Sequence, residues 1–338
     1  MKKQKLSLCI IAAMGLAACG GGGGGGGGGG SHLGATWEGD RMSLAVANAL
    51  RSGDVDIVSS RDSLEEPSPA PAPFFAMFSE PPQEWQPFIT IRIDPETDEL
   101  VLIDAFYPGD SIHHTYRASP DSYDENGRVV ASVKYELTPE FKAEHGFPNV
   151  IPGDPTHIKV LVNLEFGGLN AGLQYSEFGI WSQDHALYIG NTRIHNDGEN
   201  YAHGAALAFG VTDDRFDGIP NDAEFTGQAL GVFVTKAPDE DDWTGERLSG
   251  IARLEVTAGG QQNLTAFGTT ENPELTCINC ASNLRALDFR GITFDGWTDF
   301  KTLFYGSGGI TASEAVGVLS ATSSDHNLNV SFGATRVD

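Results

Sequence analysis

Glu224-Phe-Thr-Gly-Gln-Ala-Leu-Gly-Val-Phe-Val234 is the stretch on which the fold turns. It is a short strand with two glycines, Gly227 and Gly231, inside it. Glycine weakens a strand interior, and it stands there where the sheet bends tightly or another backbone comes close. The same texture recurs at Gly250, Gly291, Gly317 and Gly333. The expectation is a closed, strongly coiled barrel in which glycine relieves crowding at the bends.

Working outward, the segments 159–166, 173–181, 185–190, 205–210, 248–257, 264–267, 284–293, 315–321 and 328–332 are short and closely spaced, with Gly, Asp and Asn between them. Such spacing argues for a sandwich or barrel, and no convincing helical period follows residue 150. Upstream, Phe88–Asp94 alternates apolar and polar residues, Pro95–Asp98 supplies a turn and Glu99–Asp104 returns, which reads as a β-hairpin. Strands at 116–119 and 128–137 continue across Asp124–Gly127. That turn resembles a calcium loop faintly, but Val133 stands where the closing bidentate Glu belongs, so a plain hairpin turn is expected. Ahead of these strands, Asp40 is expected to cap a short amphipathic helix through Met42, Leu44, Val46, Ala47 and Leu50, ended by Gly53. The Pro- and Glu-rich segment 64–73 reads as an extended loop.

The first eighteen residues have the layout of an export signal: Lys2, Lys3 and Lys5, an apolar run from Leu6 to Ala18, and small residues before Cys19. The run is too short to span a bilayer, which takes about 20 residues. Leu16-Ala-Ala-Cys19 resembles the lipobox of bacterial lipoproteins, which implies a lipid on the Cys19 sulfur. Gly20–Gly30 then reads as a flexible tether, because a phosphate-binding glycine loop needs a strand before it and a Lys-bearing helix after it. Gly20 in place of an Asp after Cys19 implies delivery to the outer membrane.

The formal charge of −25 argues against nucleic acid and against electrostatic attachment to anionic lipid. It suits a soluble exposed domain or a basic partner. Of the four cysteines, Cys9 and Cys19 belong to the signal and anchor. Cys277 and Cys280 remain, in Cys-Ile-Asn-Cys, and a local disulfide is expected there in an oxidising compartment. Zinc would need two further ligands.

Four signatures resemble the barrel of the transferrin-binding protein B family of surface lipoproteins: Tyr175–Trp181; Phe209–Thr212 with Ile219-Pro220 and Phe225–Gly231; Phe304-Tyr-Gly306 with Ala312–Gly317; and Ser331–Arg336. Phe225, the single glycine at Gly317 and the Cys-Ile-Asn-Cys loop depart from the family pattern. The resemblance implies an all-β chain: a C-terminal eight-stranded antiparallel β-barrel over 158–338, preceded by a smaller strand-rich handle domain over 36–157. Residues 1–18 are then the signal peptide and 19–35 the lipidated cysteine and tether. It implies a lipid-anchored, surface-exposed outer-membrane protein, exported by a surface-lipoprotein translocator. Such a protein captures an iron or haem source, a host carrier protein or another small ligand for a TonB-dependent transporter. A surface adhesin or immune-evasion barrel of the factor H-binding type is the alternative.

No catalytic constellation is legible, since Gly-x-Ser-x-Gly and His-Glu-x-x-His are both absent and His185 and His195 lie in turn-like contexts. A non-enzymatic role is therefore expected. The candidate haem or metal set is His113, His114 and Tyr116 beside Tyr107, with His195 and His203 as weaker choices. The candidate partner loops are Asp213, Asp214 and Asp217, and Asp241, Asp242 and Trp243, which would form an acidic rim at the barrel-end connections.

Overall fold

Strands dominate: period-two alternation leaves segments such as 129–132 and 262–266 one face to bury, while 314–322 is buried on both faces. The computed structural model describes residues 35–60, 89–104, 114–124, 127–140, 156–189, 192–236, 243–281, 287–294, 298–323 and 325–337. One helix, α1 (Leu44–Ser52), precedes β1 (Val55–Ser59). Then follow β2 (Ile89–Ile93), β3 (Leu100–Asp104), β4 (His114–Ala118), β5 (Val129–Glu136), β6 (His157–Phe166), β7 (Ser176–Ile189) and β8 (Thr192–Val211). The second series is β9 (Ala223–Lys236), β10 (Trp243–Val256), β11 (Gln262–Gly268), β12 (Pro273–Cys277), β13 (Leu287–Phe289), β14 (Ile292–Thr293), β15 (Thr298–Tyr305), β16 (Glu314–Thr322) and β17 (His326–Val337).

Two antiparallel sheets result. The first has eight strands in the order β1-β8-β7-β6-β5-β4-β3-β2, and its edges β1 and β2 approach each other, so it is a nearly closed barrel. The second has nine, ordered β14-β13-β12-β11-β10-β9-β17-β16-β15, and curls around its own core. The chain is all-β, as expected, with the eight strands in the amino-terminal sheet. The expected division after residue 157 falls between β5 and β6, which pair from Val129↔Leu164 to Glu136↔His157. The ladder breaks instead between Val211 and Ala223. Strand spacing reveals that a strand exists but not which neighbour it pairs with, and so this boundary was invisible in the sequence.

Inside the first barrel, Leu102, Tyr116, Val162, Leu164, Trp181 and Leu207 make one apolar core. Trp37, Met42, Val46 and Leu50, from the segment ahead of β1, complete it and close one mouth. Each such burial contributes about 1.5–3 kcal/mol. Ser43, not the expected Asp40, caps α1: its Oγ accepts from Val46 N at 3.3 Å and donates to Gln174 O at 2.6 Å. Asp40 is occupied holding Thr36 N at 2.8 Å. Gly53, with φ of 85°, ends the helix as expected. Trp37 Nε1 donates to Asp98 O, and Arg51 pairs with both Glu38 and Asp98, so this plug is latched to the β2–β3 turn.

The turns 94–99, 119–128, 167–175, 212–222, 257–261 and 306–313 all lie at this same end. We call it the amino-terminal pole, because the described residues begin there, with Ala35 N donating to Asp121 Oδ1. At the turn over 124–127, Asp124 Oδ1 accepts from Arg128 N and its Oδ2 from Arg128 Nε, a plain turn as expected.

The walls of the two sheets meet along β7 and β8 on one side and β9, β15, β16 and β17 on the other. Phe178, Ile180, Ala206, Ala208, Val232 and Val316 are buried between them. Gly210 is needed at this contact, since a Cβ there would lie 2.5 Å from the Tyr305 ring. Within the second sheet, Gly317 lets Phe332 fill the interior; a Cβ would overlap the Lys301 carbonyl oxygen and stand 2.7 Å from the Phe332 ring. Gly291, by contrast, sits in a two-residue turn after Arg290, both with positive φ, rather than inside a strand. Replacing Gly317 by Ala is expected to cost about 1–3 kcal/mol, read as a lower urea midpoint with unchanged m-value.

Candidate functional site

The junction of the sheets holds two buried carboxylates. Glu314 opens β16 in the second sheet and reaches the β6–β7 turn of the first. It accepts from Gln174 N at 2.6 Å, Tyr175 N at 3.1 Å and Ser176 Oγ at 2.7 Å. Burial raises its pKa, and these hydrogen bonds oppose the rise. Glu177, on β7, accepts from the amides of Gly168 and Phe178 through Oε1, while Oε2 is buried without a hydrogen-bond partner. Gly168 must be glycine, because a Cβ would lie 2.5 Å from the Glu177 carboxylate oxygens. Burial, reinforced by the nearby charge of Glu314, pushes Glu177 up to about 8. Both residues lie inside the signature segments, so those segments build the seam between the sheets.

Beside the junction runs the β8–β9 connection, which carries three of the expected partner residues. Asp214 is structural: its Oδ1 accepts from Gly308 N at 2.7 Å and its carbonyl from Gly306 N at 2.9 Å. Asp213 and Asp217 are exposed. Arg215 pairs with Asp56 at 3.2 Å above Tyr305, whose phenol burial holds well above the usual tyrosine range. Asp241 and Asp242 lie outside the described residues, and Trp243 begins β10 opposite Lys236. Trp243 and the 212–222 connection stand at opposite ends of β9, whose 14 residues at about 3.3 Å each span roughly 45 Å.

The expected haem set is only partly in view. Tyr116 is 1% exposed, turned into the core of the first barrel. His114 begins β4 opposite Asp104, and His113 and Tyr107 lie outside the described residues. His185, His195 and His203 fall within β7 and β8 rather than in turns. Among the described residues, no group of three or more His, Cys, Asp or Glu is arranged to hold a metal ion. Cys19 also lies outside the described residues. Cys277 and Cys280 form a disulfide with Cα atoms 5.5 Å apart, both buried in the second core. Their loop is stitched to β11 by Cys280 N to Gln262 O and Asn279 N to Asn263 Oδ1.

On the outer wall of the second sheet, Glu224, Thr226, Ile251, Arg253, Thr265 and Thr269 line a shallow depression of about 190 Å³. Arg253 Nη2 bonds Glu224 Oε2 at 2.9 Å, and Ile251 is half exposed. Threonine hydroxyls, an ion pair and one aliphatic surface can hold a small polar ligand by hydrogen bonds and contact. This depression is smaller than the roughly 300–1,000 Å³ of a drug-sized ligand site. The sequence offered no signal for it, because its residues converge from three strands.

No family model and no curated protein matches the chain. Among solved structures it is similar to a double mutant of the vaccine antigen transferrin-binding protein B from Haemophilus parasuis. The identity is 12%, the TM-score 0.28, and the match covers 71% of this chain and 51% of that one. The chain thus spans about half the length of that protein.

Because Glu177 titrates near 8 when folded and near 4.5 when unfolded, the folded state binds the extra proton between those values. Stability from this group is therefore full below about pH 4.5 and falls as pH rises toward 8, by at most about 1.4 kcal/mol per pH unit. Glu177→Gln should flatten that slope in denaturation curves taken from pH 5 to 8; an unchanged slope would assign it elsewhere.

Proposed function

We propose that this protein is a lipid-anchored surface lipoprotein of the outer membrane, akin to the transferrin-binding protein B family, that acts as a binding module and not as an enzyme. It captures an iron or haem source, a host carrier protein or another small ligand and hands it to a TonB-dependent transporter. The observation that carries this reading is continuity between sequence and fold. The lipobox-like Leu16-Ala-Ala-Cys19 and the glycine run lead directly into a segment latched into the mouth of the first barrel. A chain built this way holds a rigid body by one end and presents the rest of its surface away from the anchor. The strong negative charge favours a basic partner over nucleic acid.

Palmitate labelling of producing cells tests the anchor. The wild-type chain should take the label and sediment with membranes, whereas Cys19→Ser should do neither. Haem titration followed by Soret absorbance, with affinity capture from host serum, tests the cargo. Failure of both cargo arms would overturn nutrient capture and leave the adhesin reading.

A further inference from the structure

We infer that the amino-terminal pole is a membrane-seating surface, whose aliphatic loop tips rest in the headgroup region of the bilayer that holds the proposed anchor. The inference deepens the lipoprotein reading and rests on it for the anchor.

The distribution of exposed apolar side chains carries it. Leu44 at the start of α1, Leu169 in the β6–β7 turn, Ile219 in the β8–β9 connection, Ile278 in the disulfide loop and Ile310 in the β15–β16 connection all protrude into solvent at this pole. Ile310 is 81% exposed and Leu44 61%. Among the described residues, Ile251 on the outer wall and Ile189 at the opposite pole are the large apolar side chains equally free that lie elsewhere. Scattered single apolar residues need no explanation, but a set gathered on the tips of one end marks an interaction surface.

These tips are held, not loose. Asp214 clamps the 306–309 turn, the disulfide loop is bonded to β11, and Ser43 ties α1 to the turn over 174. A rigid platform keeps its apolar tips pointing the same way when it meets a surface.

Chain length names the occupant. Only residues 20–34 separate Cys19 from Ala35, and a glycine-rich stretch of that length has a root-mean-square span of roughly 20 Å. A lipid on Cys19 therefore keeps this pole beside the bilayer, which is the apolar phase nearest to the tips. Among the described residues no helix is long and apolar enough to cross a membrane. Asp213, Asp217 and Asp222 at the same pole oppose anionic headgroups. The surface suits a zwitterionic bilayer.

The test uses the mature chain coupled through Cys19 to vesicles of phosphatidylcholine, by enzymatic acylation or, independently of it, by a maleimide-bearing lipid. Amide hydrogen exchange in 212–222 and 306–313 should slow about tenfold relative to the Cys19→Ser chain in solution. The lipid-coupled triple variant Ile219→Ser, Ile278→Ser, Ile310→Ser should lose this protection while keeping the wild-type melting temperature and vesicle attachment. Replacing part of the lipid by phosphatidylglycerol should weaken it. Equal exchange on vesicles and in solution would overturn seating, and so would concentration-dependent protection of the Cys19→Ser chain without vesicles, which would assign the patch to a second copy. If enzymatic acylation fails but the maleimide-coupled chain is protected, the lipoprotein reading falls and the seating surface stands.

Discussion

The carboxylate of Glu314 is the constraint on which the two sheets depend. It leaves the first residue of β16 and satisfies two backbone amides and a hydroxyl in the β6–β7 turn of the other sheet. Those donors are partly or wholly buried, and a buried donor left without a partner costs about 1–3 kcal/mol. Nothing apolar of the same shape could replace the carboxylate without stranding them. Around this anchor the walls come close enough for Gly210 to touch the Tyr305 ring and for Phe178 to pack against Gly333. The apolar contact between the sheets and the polar clasp at its end thus support each other.

The same end of the molecule collects the features that bear on function. The plug from Trp37 to Gly53 seals the first barrel there, Arg51 latches it to Glu38 and Asp98, and the described chain begins beside it. The exposed aliphatic tips surround that point, and the groove lined by Ile251 and Arg253 lies on the outer wall of the second sheet.

The family-like signatures mark scaffold and not ligand. Tyr175–Trp181 contributes Glu177 and Phe178, Ala312–Gly317 contributes Glu314 and Gly317, and Phe304–Gly306 contributes Tyr305. Each is buried at the seam or inside the second sheet, where residue identity is dictated by a hydrogen bond or a packing distance. Surface loops carry no such demand. That is why the barrel texture was readable, whereas nothing local placed the 212–222 connection and Trp243 at opposite ends of β9.

By itself the sequence determined what depends on neighbours along the chain. The all-β class followed from short, closely spaced segments set between Gly, Asp and Asn, the 89–104 hairpin from alternation and local turn chemistry, the Asp124–Gly127 turn from its turn residues, and the helix before β1 from its apolar spacing and Gly53. Tertiary structure alone decided what depends on partners far along the chain: that β6 to β8 belong to the first sheet, that Ser43 and not Asp40 caps α1, that Tyr116 faces a core, and that Glu314 reaches the amides of Gln174 and Tyr175. Local propensity acts over a few residues, whereas strand pairing and burial are settled by contacts more than a hundred residues apart, as from Gln174 to Glu314. No local pattern records those.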